Sequence, residues 1–180
     1  MGLTLETATF AGGCFWCTEA IFKRVDGVIK VVSGYAGGTI ADPTYEQVSS
    51  QEAGATEALQ ITFDPGIISY SKLLEIFFKT HDPTSVDKQG ADTGSQYRSI
   101  VFFHTKRQKE ATDEMIKRLT VAKVFGGKIV TEVKPFERFS EAEAYHKDFY
   151  DRNKDNSYCS VVINPKLEKL YREFPDELKK

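Results

Sequence analysis

The stretch ATFAGGCFWCTEAIF, Ala8 to Phe22, changes its pattern half-way. From Thr7 to Ala11 apolar and polar residues alternate as in a strand; Gly12-Gly13 breaks the alternation, and a helical pattern with Ile21 and Phe22 on its apolar side runs to a stop at Asp26-Gly27. Cys14 therefore falls at a strand-to-helix junction. The first turn of a helix offers unpaired N–H groups and the positive end of the dipole, both of which favour a thiolate, so Cys14 reads as a nucleophile. Two glycines before it keep the backbone slim where a substrate would approach. Cys17 follows one turn later, on the same side, within reach of a pairing with Cys14. Phe15 and Trp16 beside a nucleophile suggest an apolar wall for a small apolar group of a substrate.

Working outward, Val28 to Tyr35 and Thr56 to Phe63 read as strands, the second closed by Asp64-Pro65, with a polar loop through Pro43-Thr44-Tyr45 between them. Ser69 to Thr80 reads as a helix burying Leu73, Leu74, Phe77 and Phe78. HDPTSVDKQGADTGSQ, from His81, carries almost no apolar residues and is expected to be a long functional loop leading into a strand from Tyr97 to His104. A helix over Lys106 to Thr120 and a strand over Lys128 to Val133 follow. Ser140-x-x-Glu143 is a capping-box pattern expected to open a helix toward Tyr150, which places His146 on an exposed helix and Cys159 in a tail beyond it. The tail after Pro165 is weakly amphipathic. From Thr7 to His104 the order is strand, helix, strand, strand, helix, strand. The expected fold is α+β, a single-domain two-layer sandwich over residues 1–180 with a ferredoxin-like βαββαβ core and a C-terminal extension.

Charge excludes some partners. The chain of 180 residues carries 24 basic and 26 acidic side chains, a net −2, which gives no reason to expect nucleic acid or a membrane surface. It holds no apolar run long enough to span a bilayer, and MGLTLETATF lacks the basic and apolar regions of a signal peptide, so a cytoplasmic protein is expected. There, three cysteines argue against a structural disulfide framework. No metal is expected either, because tetrahedral zinc wants four ligands and the remaining candidates, Cys159, His81, His104 and His146, show no ligand spacing.

GGCFWCTEAIF resembles the opening motif of the A-class peptide methionine sulfoxide reductases. Further motifs recur in that family's order: VSGYAGG at Val32 to Gly38, DPTYEQVSS at Asp42 to Ser50, GATEALQITFDP at Gly54 to Pro65, HDPTSVDKQGADTGSQYRS at His81 to Ser99 and YHKDFYDRNKDNSYC at Tyr145 to Cys159. The resemblance implies reduction of the S-epimer of methionine sulfoxide, free or in proteins, to methionine, with no cofactor and with thioredoxin or a similar dithiol as reductant. It implies that Cys14 is the nucleophile, that Phe15 and Trp16 wall a methyl pocket and that Glu57 is the acid. It further implies that Tyr45, Asp92 and Tyr97 hold the sulfoxide oxygen and the substrate backbone, and that Cys159 is the resolving cysteine. Two departures stand out: Ala55-Thr56 precede Glu57 where the family usually has a histidine, and the chain continues as SVVINPKLEKLYREF rather than as a glycine-rich tail with a further cysteine.

The implied chemistry is coherent. Sulfoxide sulfur is electrophilic and open to a thiolate, while its oxygen gathers negative charge and needs protons before it leaves. A carboxylic acid kept neutral by burial and tyrosine hydroxyls would supply them. The product sulfenic acid condenses with a second thiol to a disulfide, which an external dithiol reduces. A general thiol–disulfide oxidoreductase would share the Cys-x-x-Cys helix start but has no need of Glu57, Tyr45, Tyr97 or Cys159. A ferredoxin-like binding module with buried cysteines is the non-enzymatic alternative.

Overall fold

The computed structural model describes residues 4–180, and Met1 to Leu3 lie outside them. Strand β1 (Glu6–Gly12) leads into helix α1 (Phe15–Phe22), followed by β2 (Val28–Ala36), α2 (Tyr45–Ser49), β3 (Thr56–Phe63) and α3 (Tyr70–Thr80). A small hairpin of β4 (Lys88–Gln89) and β5 (Asp92–Thr93) precedes β6 (Ser99–Phe103), α4 (Lys106–Val121), β7 (Glu132–Pro135) and β8 (Phe139–Glu141). Helix α5 (Phe149–Arg152), a π-helical turn at Cys159–Ile163 and α6 (Asn164–Glu173) close the chain. The fold is mixed α+β. No described helix is long and apolar enough to cross a membrane.

The six main strands lie in the order β7-β6-β1-β3-β2-β8, antiparallel except for the parallel β6/β7 pair. Period-two alternation sorts the side chains. Ala8 and Phe10 of β1, Leu59, Ile61 and Phe63 of β3 and Val101 of β6 join Leu73, Phe77, Met115, Leu119, Leu167 and Leu170 in one helix-covered core. Ala11, Ala58, Ile100 and Phe102 turn to the other face, where Phe136 and Phe139 pack. Phe10 stacks on Phe77 with ring centroids 4.8 Å apart, which seats α3 directly under the strand that delivers Cys14.

Several expected elements differ. The polar loop after Pro43 contains α2, because Thr44 and Gln47 close a capping box. The long loop from His81 folds partly as the β4/β5 hairpin, held where Gln89 bonds both the N–H and the carbonyl of Asp82. The expected strand at Lys128 is found later, at β7. The Ser140-x-x-Glu143 pattern caps nothing: Ser140 sits in β8 opposite Tyr35 and donates to Asp42 Oδ1 at 2.8 Å, while the Glu143 carboxylate accepts from the Tyr35 hydroxyl and the Tyr45 N–H, each at 2.7 Å. Tertiary partners took both side chains, so only a short 3₁₀ turn, Ala144–His146, and α5 form. Cys159 is likewise no part of a free tail; it is fully buried at the start of the π turn that runs into α6.

Candidate active site

The β1-to-α1 turn is built by contact. Gly13 has φ +91°, and a Cβ there would lie 2.7 Å from Gln89 Cγ; a Cβ on Gly12 would lie 2.7 Å from the Phe77 ring. The two glycines thus permit close packing rather than an open approach to Cys14, which corrects the expectation drawn from the sequence. Cys14 is the N-cap residue of α1 and is 7% exposed. The next amide, Phe15 N–H, donates to Glu57 Oε2 at 2.9 Å, so the acid of β3 and the thiol of the helix start share one end of α1.

Burial governs the charges. Glu57 is 2% exposed, and desolvation pushes its carboxyl up to about 8 against the opposing pull of the Phe15 N–H. Near neutral pH it is an acid. The thiols act on each other: the neighbouring Cys14 lowers Cys17 to about 7 against its burial, with the Lys166 charge helping. Cys14 is pushed well up by burial, by the neighbouring Cys17 and by the Glu57 charge. The resting Cys14 is therefore a thiol, not the thiolate expected from its helix position alone; desolvation outweighs the helix end. The pair nevertheless takes on its first negative charge near neutral pH.

The other expected residues gather here. Burial and the charges of Glu57 and Cys14 raise the hydroxyls of both Tyr45, at the start of α2, and Tyr97, which ends a 3₁₀ turn before β6. Asp92 of β5 accepts from the Tyr158 hydroxyl at 2.5 Å, and that hydroxyl also lies 3.9 Å from Cys17 Sγ. Trp16 stacks on Phe149 with centroids 3.6 Å apart, whereas Phe15 is almost fully buried against Tyr35 and His146. Cys159 shares the helix-covered core with Cys14 and Cys17, and all three are free thiols. A cavity of about 540 Å³ at the far end of β1, lined by Thr7, Tyr70, His104 and Gln108, holds none of these residues.

Comparison with known proteins decides what the arrangement belongs to. The family profile described as peptide methionine sulfoxide reductase matches residues 6–178. The chain belongs to the peptide methionine sulfoxide reductase family. It is 55% identical over 173 residues to an MsrA of Sulfolobus acidocaldarius, covering 96% of this chain and 97% of that one. It is 55% identical over 175 residues to an MsrA of Saccharolobus solfataricus, covering 97% and 98%. Among solved structures, Mxr1 from Saccharomyces cerevisiae in reduced form superposes with a TM-score of 0.79 at 30% identity, covering 86% of this chain and 89% of that one. Membership makes this protein an enzyme of methionine sulfoxide reduction.

Two residues beside these side chains escaped the sequence reading. His146, expected on an exposed helix, is 1% exposed and accepts from the Trp16 indole N–H at 3.1 Å. Only the donor on Trp16 could have signalled a need for a buried acceptor, and nothing in the sequence says which residue meets it. Tyr158, directly before Cys159, puts its hydroxyl among Asp92, Cys14 and Cys17. Its place in the motif next to a cysteine was the one available signal.

Proposed function

We propose that the protein, acting as one catalytic domain, reduces the S-epimer of methionine sulfoxide, free or in proteins, with Cys14 as nucleophile and Glu57 as acid. The observation that carries the reading is the shared helix start, where a carboxyl held protonated up to about 8 receives the N–H adjacent to the thiol-bearing residue. Cys14 passes its proton to the Cys17 thiolate, and the Cys14 thiolate so formed attacks the sulfoxide sulfur. Glu57 protonates the oxygen as the S–O bond weakens, with the Tyr45 and Tyr97 hydroxyls donating to the developing charge. Phe15 and Trp16 wall the methyl group, and Asp92, fixed by Tyr158, orients the substrate backbone. The bond between Cys14 and the substrate sulfur then breaks as the protonated oxygen shifts from that sulfur to Cys14; the substrate sulfur keeps the electron pair and leaves as methionine, and Cys14 is left as sulfenic acid.

The Cys159 thiol then attacks that sulfenic sulfur, water leaves, and a Cys14–Cys159 disulfide forms. A dithiol of the thioredoxin class reduces it by exchange. Support for that partner comes from yeast Mxr1, which has also been solved in complex with Trx2. The free thiols fit a reducing, cytoplasmic setting. We also read the central order β6-β1-β3-β2, antiparallel throughout, as the ferredoxin-like core, since it is the order a βαββαβ chain produces with two crossovers.

A pocket that fixes methyl, oxygen and sulfur against one thiolate accepts one handedness. Incubation with the separated epimers and dithiothreitol, followed by methionine detection, is expected to show turnover of the S-epimer only. Equal turnover of both defeats the reading.

A further inference from the structure

Trp16 is gripped in two different ways. The stack on Phe149, with an interplanar angle of 6°, fixes the plane of the indole, and the Tyr158 ring meets it edge-on with centroids 5.8 Å apart. The orientation of the indole within its plane is tied by the hydrogen bond from Trp16 Nε1–H to His146 Nδ1, 3.1 Å long. An indole N–H only donates, so the bond dictates the imidazole's state: Nδ1 carries the lone pair and Nε2 the proton. The ring itself is confined, with the centroids of Phe15, Tyr45 and Tyr145 at 4.9, 4.7 and 4.1 Å. His146 Nε2 is buried without a hydrogen-bond partner among the described residues; Glu143 Oε2 stands 3.8 Å away.

A second proton can bind only at Nδ1, where the Trp16 N–H already points. Protonation replaces an acceptor with a donor facing a donor, and the bond is lost. The titratable groups around the ring are Glu143, Tyr145 and Lys147 on its own segment, Glu141 on β8, Glu19 on α1, Tyr45 on α2 and Lys30 on β2, several of them lining a cavity of about 300 Å³ beside it. Burial keeps His146 below the ordinary histidine range, and the Glu143 charge opposes it only in part.

We propose that His146 is a positioning residue for Trp16: the neutral imidazole locks the indole as the wall of the methyl pocket, and protonation of His146 releases it. This rests on the reading of Trp16 as that wall. No other residue the reaction uses contacts the indole N–H, so the lock is set by one acceptor and can be removed by changing it alone.

Trp16 is the only tryptophan in the chain, so its emission reports the lock without any turnover. Acidifying the wild-type protein, with far-ultraviolet dichroism confirming that it stays folded, is expected to quench emission in a step below the ordinary histidine range. The same titration of His146→Gln, whose amide oxygen accepts from the indole but does not titrate, is expected to lack that step. In steady-state assays His146→Phe is expected to raise KM for the S-epimer about five- to tenfold, the weight of one lost hydrogen bond, with kcat changed less. His146→Gln should rescue KM and abolish its rise at acid pH. A quenching step that persists in His146→Gln overturns the proposal, and so does an unchanged KM in His146→Phe or an impairment of His146→Gln equal to that of His146→Phe. Should His146→Phe not fold, the emission and KM profiles of His146→Gln against wild type decide. A wild-type protein without reductase activity sinks the functional reading instead and leaves the emission titration to judge the lock.

Discussion

Cys14→Ser is expected to abolish sulfoxide reduction, a fall of roughly 10⁴-fold or more, the scale on which loss of a nucleophile is felt. A serine hydroxyl in this buried site is far less ionised and less nucleophilic than a thiol. Cys159→Ser separates the two halves of the cycle. It is expected to release one methionine per enzyme in a single turnover and then to stall with thioredoxin, because a sulfenic acid offers no disulfide to exchange. Cys17 supplies the competing route: it lies one helical turn from Cys14 and also acts on Cys159 through its charge. Rapid-quench methionine assays on the variants check the division of labour. Sustained thioredoxin-dependent turnover by Cys159→Ser would move the resolving role to Cys17.

Glu57→Gln is expected to slow sulfenic acid formation by about 10²-fold or more, the usual weight of a general acid. Glutamine keeps an oxygen for the Phe15 N–H, so the start of α1 survives while the proton donor is gone. The pH dependence follows from two signs. The Glu57 acid is present below about 8 and disappears as pH rises through that value, because burial raised it. The negative charge of the thiol pair is absent at low pH and appears as pH rises through about 7, because the neighbouring Cys14 lowers Cys17. Wild-type single-turnover rates are therefore expected to trace a narrow bell, and Glu57→Gln to lose its alkaline limb. An unchanged single-turnover rate in Glu57→Gln would remove the residue from the mechanism.

Local patterns were legible where local physics decides. Thr56 to Phe63 alternates between two buried faces and is β3 to the residue, and the helix expected over Ser69 to Thr80 is α3, with Ser69 as its cap rather than its first residue. The junction that carries Cys14 was equally plain, since two glycines between a strand and a helical run admit few other readings. The rest depended on distant partners. Ser140 and Glu143 form a capping pattern that Asp42, Tyr35 and Tyr45 pre-empt, and none of these is near in sequence. His146 lies in the polar run EAEAYHKDFY, where periodicity points to solvent; its burial is fixed by a tryptophan 130 positions earlier. The charge state of Cys14 was out of reach of the sequence for the same reason. A helix end is visible in sequence, whereas the desolvation that outweighs it comes from the packed surroundings. Glu57 and the tyrosines were reached through family motifs, since a glutamate in a strand is ordinarily a solvated one.

The most direct measurement adds one equivalent of the S-epimer to reduced wild-type protein without any reductant, counts methionine and free thiols, and maps the products by mass spectrometry after digestion. One methionine per enzyme, two thiols lost and a disulfide joining Cys14 to Cys159 are expected. Methionine released with no thiol lost, or a disulfide that lacks Cys14, would contradict reduction at this thiol.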